Sequence, residues 1–326
     1  MSSYEDRVAE ETRQYAANEK VHDLPGICFY WLNRYILPQM ASFGYAGAEE
    51  FFFLNLEKAY RQSRNEKRRF LSIGAGNCDM EVQLAAQLRT AGLSDFVIDC
   101  LDLNPAMIGR GTVDAAARGI GDALSPLVAD FNRWQPEREY DAVIANQALH
   151  HVVELENLFA GVRSSLTPEG LFIVSDMIGR NGHRRWPEAL ELVEKFWQEL
   201  PERYRYNQQL KQMDIEYLDW DCSVEGFEGI RSQDILPLLI ERFHFNFFYA
   251  FGNVTDPFID RSYGPNFDAS GEWDRAFIDR VHACDEAGMA EGRLKPTHML
   301  AVLSRAGTED LICTEGFTPE FAVRRP

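Results

Sequence analysis

Basic residues are outnumbered in this chain. Its 326 residues carry 33 Lys and Arg against 51 Asp and Glu, a formal net charge of −18. A surface of that sign repels phosphate backbones and anionic headgroups, so neither nucleic acid nor membrane is an expected partner. Long apolar runs are missing as well: none reaches the ~20 residues that a membrane helix needs. The opening stretch, MSSYEDRVAEETRQYAANEK, has no apolar signal core, and a cytoplasmic location is expected. Cysteine is sparse, at 28, 78, 100, 222, 284 and 313, with no C-x-x-C pair. That scatter reads as reduced, mostly buried thiols and offers neither a disulfide frame nor a zinc site. No metal is expected. The remaining composition, 45% hydrophobic and 26% charged, is ordinary for one large α/β domain with additions or two modest ones.

What is present is organised around FLSIGAGNCDME, Phe70 to Glu81. Phe70, Leu71 and Ile73 predict a short strand, and Gly74 and Gly76 predict a tight turn. Asn77 is the expected N-cap of a helix with Asp79 and Glu81 in its first turn. A dinucleotide loop would have a third glycine at position 79, where a carboxylate instead competes with pyrophosphate for the helix amides. That disfavours an NAD-dependent oxidoreductase. The Gly-Lys-Ser/Thr of a P-loop is absent. The corner suits an adenosine-bearing ligand without phosphates.

Strand candidates at 70–73, 96–102, 127–129, 142–145 and 170–175 alternate with helices at 79–92, 105–118 and 153–166. Strands followed by helices at this rhythm imply a doubly wound, mainly parallel sheet. The chain divides into a helical cap (1–67), a core (68–178), a helical insertion (179–232), a segment completing the sheet (233–305) and a loosely ordered tail (306–326). At the tip of the second strand, Asp102 can accept both ribose hydroxyls, although Asp-Leu-Asn-Pro is also a good helix cap. At the third, Asp130 beside Phe131 can take an adenine amino group and cover the base, or serve as a turn aspartate with a core phenylalanine.

Taken together, LSIGAGN (71–77), LDLNP (101–105), ADF (129–131), YDAVIANQALHHV (140–152) and LTPEGLFIVSD (166–176) resemble the class I S-adenosylmethionine-dependent methyltransferases. The resemblance implies a seven-stranded Rossmann-like sheet with an antiparallel last strand. It implies contacts to S-adenosylmethionine from Gly74, Ala75, Gly76, Asp102, Leu103, Asp130, Phe131, Asn146 and Gln147. Two positions depart from it: the family often has an acidic residue where Ser72 stands and a third glycine where Cys78 stands. Contacts to the methionine end of the cofactor are therefore expected from the N-terminal helices.

The acceptor is expected in the insertion, where Trp186, Trp197, Tyr204, Tyr206, Tyr217, Trp220 and Phe227 lie among the acids Asp214, Asp219, Asp221, Glu225 and Glu228. A helical subdomain with these rings as its core is the alternative. Tyr15, Tyr30, Trp31, Arg34 and Tyr35 are the expected second wall. His150, Tyr204 and Tyr206 are the catalytic candidates. His150 and His151, as neighbours about 100° apart on a helix, are not expected to share a ligand, and no carboxylate stands at metal spacing beside them. The implied activity is methyl transfer to a small-molecule O or N acceptor, with a homodimer conceivable. The alternatives are another use of the same cofactor that releases methylthioadenosine, and a non-catalytic nucleoside-binding domain.

Overall fold

A computed structural model describes residues 4–17, 24–224, 226–307 and 309–324, with the side chains of 10, 11 and 14–17 excepted. The strands in chain order are β1 (Arg68–Ile73), β2 (Phe96–Asp102), β3 (Leu124–Val128), β4 (Tyr140–Asn146) and β5 (Leu166–Met177). They continue with β6 (Tyr206–Asn207), β7 (Gln212–Met213), β8 (His244–Phe251), β9 (His298–Ser304) and β10 (Ile312–Cys313). β6 and β7 form a small hairpin, and the other eight make one sheet in the order β10-β8-β9-β5-β4-β1-β2-β3. β1 to β5 run parallel to one another, and β9 is antiparallel to both β5 and β8.

The parallel strands are apolar almost throughout because helices cover both faces. Alternate residues of β1, Phe70 and Leu71, enter opposite layers. Phe70 joins Leu84, Ile98 and Ile144 on one face, while Leu71 joins Val143, Leu158 and Leu239 on the other. The fold class is as expected, with one correction: the sheet has eight strands where seven were expected. The extra strand is β10, two residues paired parallel to β8 with Ile312 exposed, too short to carry a period. β5 also starts earlier than expected. It pairs from Leu166, lets Pro168 and Glu169 protrude, and rejoins β4 after a register shift between Tyr140 and Ala142.

The insertion is helical only in part. Helix Pro187–Glu199 is followed by the β6–β7 hairpin, and the rings of this region pack on the segment after β8. Trp197 meets Tyr263 at 4.8 Å, and Tyr204 stacks on Trp273 at 4.9 Å. The expected second wall is engaged elsewhere too: the Tyr30 and Tyr35 hydroxyls donate to Asp279, and Trp31 Nε1 donates to His282. The side chain of Tyr15, and Glu225, lie outside the described residues. The tail is more ordered than its composition predicted, with β10, a short helix Pro319–Ala322 capped by Thr318, and an Arg324–Glu188 pair. Arg325 and Pro326 lie outside the described residues. Among the described residues, no helix is long and apolar enough to cross a membrane.

Candidate active site

The tips of β1, β2 and β4 meet at a cleft of about 290 Å³. Gly74 and Gly76 have φ of 68° and 54°, so the chain turns there in a left-handed conformation. A Cβ on Gly74 would stand 2.6 Å from Cβ of Ala148, so a bare backbone is needed where the β1 and β4 loops touch. The loop is tied across the sheet: the Gly74 and Ala75 amides donate to the Leu101 carbonyl at 2.8 and 3.1 Å. Cys78, where a glycine was the family norm, also has a positive φ of 57° and is the N-cap of the following helix, without a side-chain cap. Asn77, the expected cap, instead accepts from Arg110 Nε at 2.9 Å. The space Cys78 needs comes from Gly111, whose Cβ would fall 2.6 Å from that of Cys78.

Asp102 lines this cleft, and the capping alternative falls to its neighbour. Asn104 caps the next helix through the amides of Ala106 and Met107. Asp102 accepts from the Gly76 amide and from the Asn104 amide, both at 2.8 Å, which locks its carboxylate between the two loops. A carboxylate oxygen accepts more than one hydrogen bond, so the chemistry of Asp102 suits a hydroxyl. Leu103, Ala75, Phe131, Asn146 and Gln147 line the same cleft. Asp130 sits behind Phe131, where it accepts from the Tyr4 hydroxyl at 2.7 Å and from the Asn132 amide at 2.9 Å.

The departure at Ser72 has a local answer. Ser72 Oγ donates at 2.6 Å to Glu81, a carboxylate from the helix that follows the glycine loop, and both residues line the cleft. Burial pushes the Glu81 carboxyl up to about 7, against the pull of the Ser72 hydrogen bond. With Asp79 alongside, that end of the cleft offers two carboxylates from a helix rather than one from β1. The expected contacts from the N-terminal helices reduce to Tyr4 and Thr12 of α1 (Tyr4–Ala17).

At the far end stand His150 and His151, on a single 3-10 turn after β4. Their rings lie 4.3 Å apart and both line the cleft, because this turn is not the α-helix from which the sequence argument separated them. His150 Nδ1 meets Asp176 at 2.7 Å, while that carboxylate also accepts from the Ala148, Leu149 and Met177 amides. The ionised Asp176 therefore holds the proton on Nδ1 and leaves Nε2 facing Glu228 at 3.5 Å. Glu228 also meets His183 Nε2 at 2.8 Å and His151 Nε2 at 3.5 Å. Burial disfavours an imidazolium at His150, yet Asp176 and then Glu228 outweigh it and push the group up to about 10. Burial alone would raise Glu228; the hydrogen bonds from His150 and His183 and the nearby His151 hold it well below the usual carboxylate range.

Tyr204 and Tyr206 do not reach this cleft, which corrects their candidacy. Tyr204 is 2% exposed between Phe267 and Trp273, and Tyr206 pairs with Met213 in the hairpin. Of the described residues named from the insertion, only Phe227 and Glu228 are cleft residues; the Trp197 and Tyr217 rings pack on each other, and Asp214 and Asp219 accept from the Tyr263 hydroxyl and the Arg185 amide. Glu81, Asp176, Met177, His183 and Arg261 were not recognised as site residues from sequence. Asp176 alone had a signal there, as the last residue quoted from the fifth-strand motif.

Residues 71–172 match the family described as "Methyltransferase domain", and so span the glycine loop, Asp102 and the whole of β4. A sterol 24-C-methyltransferase from Gibberella zeae is 32% identical over 79 residues, 24% of this chain and 21% of that protein. The match thus spans about a fifth of that relative's length. Among solved structures, a putative sarcosine dimethylglycine methyltransferase from Galdieria sulphuraria shares 16% identity over 80% of this chain and 86% of its own, with a TM-score of 0.46. A geranyl diphosphate C-methyltransferase from Streptomyces coelicolor A3(2) shares 12% over 92% and 98%, with a TM-score of 0.47. The matched segment carries the glycine turn and Asp102 in their expected order, and over it the chain is similar to methyltransferase domains.

Proposed function

We propose that this chain binds S-adenosylmethionine along the β1, β2 and β4 tips and methylates an O or N atom of a small molecule. The observation that carries this reading is the set of groups that line one cleft: the carboxylates of Asp79, Glu81 and Asp102, a bare glycine loop, the Phe131 ring, and His150 with Asp176 on its Nδ1. The donor set fits the cofactor: carboxylates for an ammonium, amides and Asp102 for hydroxyls, and a ring for adenine, with Arg261 as the single Lys or Arg among the described lining residues. When bound, S-adenosylmethionine supplies an electrophilic methyl group on a sulfonium.

The chain's own part is alignment and exclusion of water. Asp102 and the glycine loop orient the nucleoside, and Glu81 and Asp79 hold the amino-acid arm. His150 Nε2, Glu228, Met177 and Phe227 bound the side from which the acceptor approaches. A cleft bounded by inserted segments favours a metabolite over a macromolecular acceptor. Incubation with S-adenosylmethionine and metabolite pools, read by mass spectrometry, tests this. S-adenosylhomocysteine together with an acceptor heavier by one methylene is the expected outcome. Methylthioadenosine as the product would instead support cyclisation or aminocarboxypropyl transfer. The reason for that second reading, a missing acid at Ser72, is weakened by the carboxylate that Glu81 brings to the same hydroxyl.

A further inference from the structure

Three segments far apart in the chain converge at the inner end of the cleft, and they do so through backbone as well as side chains. The Gly182 amide donates to the Gly229 carbonyl at 2.8 Å, and the Ile230 amide donates to the His150 carbonyl at 3.1 Å. A Cβ on Gly229, whose φ is 67°, would stand 3.0 Å from the His183 amide nitrogen, so the glycine permits this approach. The result places one donor atom each from His150, His183 and Glu228 within 4.8 Å of one another. Three of the chain's seven histidines, with His151 as the third, face this single carboxylate.

We propose that His150, His183 and Glu228 form a binding site for one divalent first-row transition cation. A cation with bonds of ~2.0–2.2 Å sets its donors roughly 3.0–3.5 Å apart, and Glu228 Oε1 lies 2.8 Å from His183 Nε2 and 3.5 Å from His150 Nε2. Asp176 on His150 Nδ1, at 2.7 Å, is the outer carboxylate that fixes tautomer and ring orientation in histidine metal sites. Two imidazoles and a carboxylate select zinc, cobalt, manganese or iron over magnesium and calcium, which prefer all-oxygen shells. Three protein donors leave at least one position open, and His150 and Glu228 both present it to the cleft. An acceptor that binds there does so through an oxygen or nitrogen lone pair. That last assignment rests on the methyltransferase reading; the cation site does not.

Cobalt(II) is the probe. Chelator-treated chain titrated with Co²⁺ is expected to take up one ion and to develop visible ligand-field bands. Glu228→Gln, which keeps the side-chain volume, and His183→Ala are each expected to weaken uptake at least tenfold, with the circular-dichroism spectrum of the metal-free chain unchanged. No bands, or uptake unaltered in both variants, overturns the site. Cobalt uptake without any S-adenosylhomocysteine binding would leave the cation site standing and remove the methyltransferase reading instead.

Discussion

A carboxylate shielded from water holds its proton until something pays for its charge, and Glu81 is in that position. Its carboxyl is pushed up to about 7 by burial. A folded-state value above the unfolded one means that the ionised form costs stability, beginning near the ordinary carboxylate range and in full above about pH 7. An ammonium placed beside Glu81 reverses that cost, so binding below pH 7 must expel the proton. Affinity for S-adenosylhomocysteine is therefore expected to rise with pH up to about 7 and then level off. Glu81→Gln should weaken binding by about 1.5–3 kcal/mol above pH 7 and flatten the profile. Calorimetry in buffers of differing ionisation enthalpy checks both, since the parent should release a proton at pH 6 and the variant should not. A sloping profile in the variant would assign the pH dependence elsewhere.

At the scale of elements, α1 is the least anchored part of the site. Apart from the Tyr4 ring on Phe227 at 5.4 Å, the contacts described for it are polar: Tyr4 to Asp130 at 2.7 Å, Arg7 to the carbonyls of Ser223 and Gly226, and the Thr12 carbonyl to Asn104. Asn104 lines the cleft, and Asp130 and Gly226 each precede a residue that does, so α1 spans the β2 and β3 loops and the insertion. Elements held by few buried apolar contacts open at low cost, and Tyr4 and Thr12 line the cleft that α1 crosses. Removing residues 1–17 is expected to speed release of S-adenosylhomocysteine about tenfold or more while shifting the melting temperature little. Stopped-flow displacement reads the first and calorimetry the second. Unchanged release would make α1 a fixed wall. The core elements were legible because their signals are local: a glycine turn, an acid at a strand tip and an apolar run each fit within ten or so residues. β10 escaped notice because two residues have no period, and Tyr204 was misplaced because its ring finds Trp273, 69 positions on, rather than the cleft.

Across the whole molecule the same distinction separates the strand-tip part of the cleft from the part around His150 and Glu228. Gly74, Asp102, Phe131 and Asn146 follow one another along a repeating strand–loop–helix path, so chain order alone predicted their meeting. His150 and Glu228 are 78 residues apart and meet through an irregular segment, and no spacing rule anticipates that. The cleft consequently draws its walls from α1, the core, the insertion through Phe227 and Glu228, and Arg261 after β8. A ligand that touches all of these couples them. S-adenosylhomocysteine at 100 times its dissociation constant should stabilise the fold by about 2.7 kcal/mol. With roughly 2.1 cal/mol/K of unfolding entropy per residue over this length, the melting temperature should rise by about 4 °C. Scanning calorimetry is expected to show one transition that moves as a whole. If the trace instead split, with only one part shifting, the insertion and the sheet would be separate cooperative units, and the wall around Phe227 and Glu228 would open while the strand tips stayed folded.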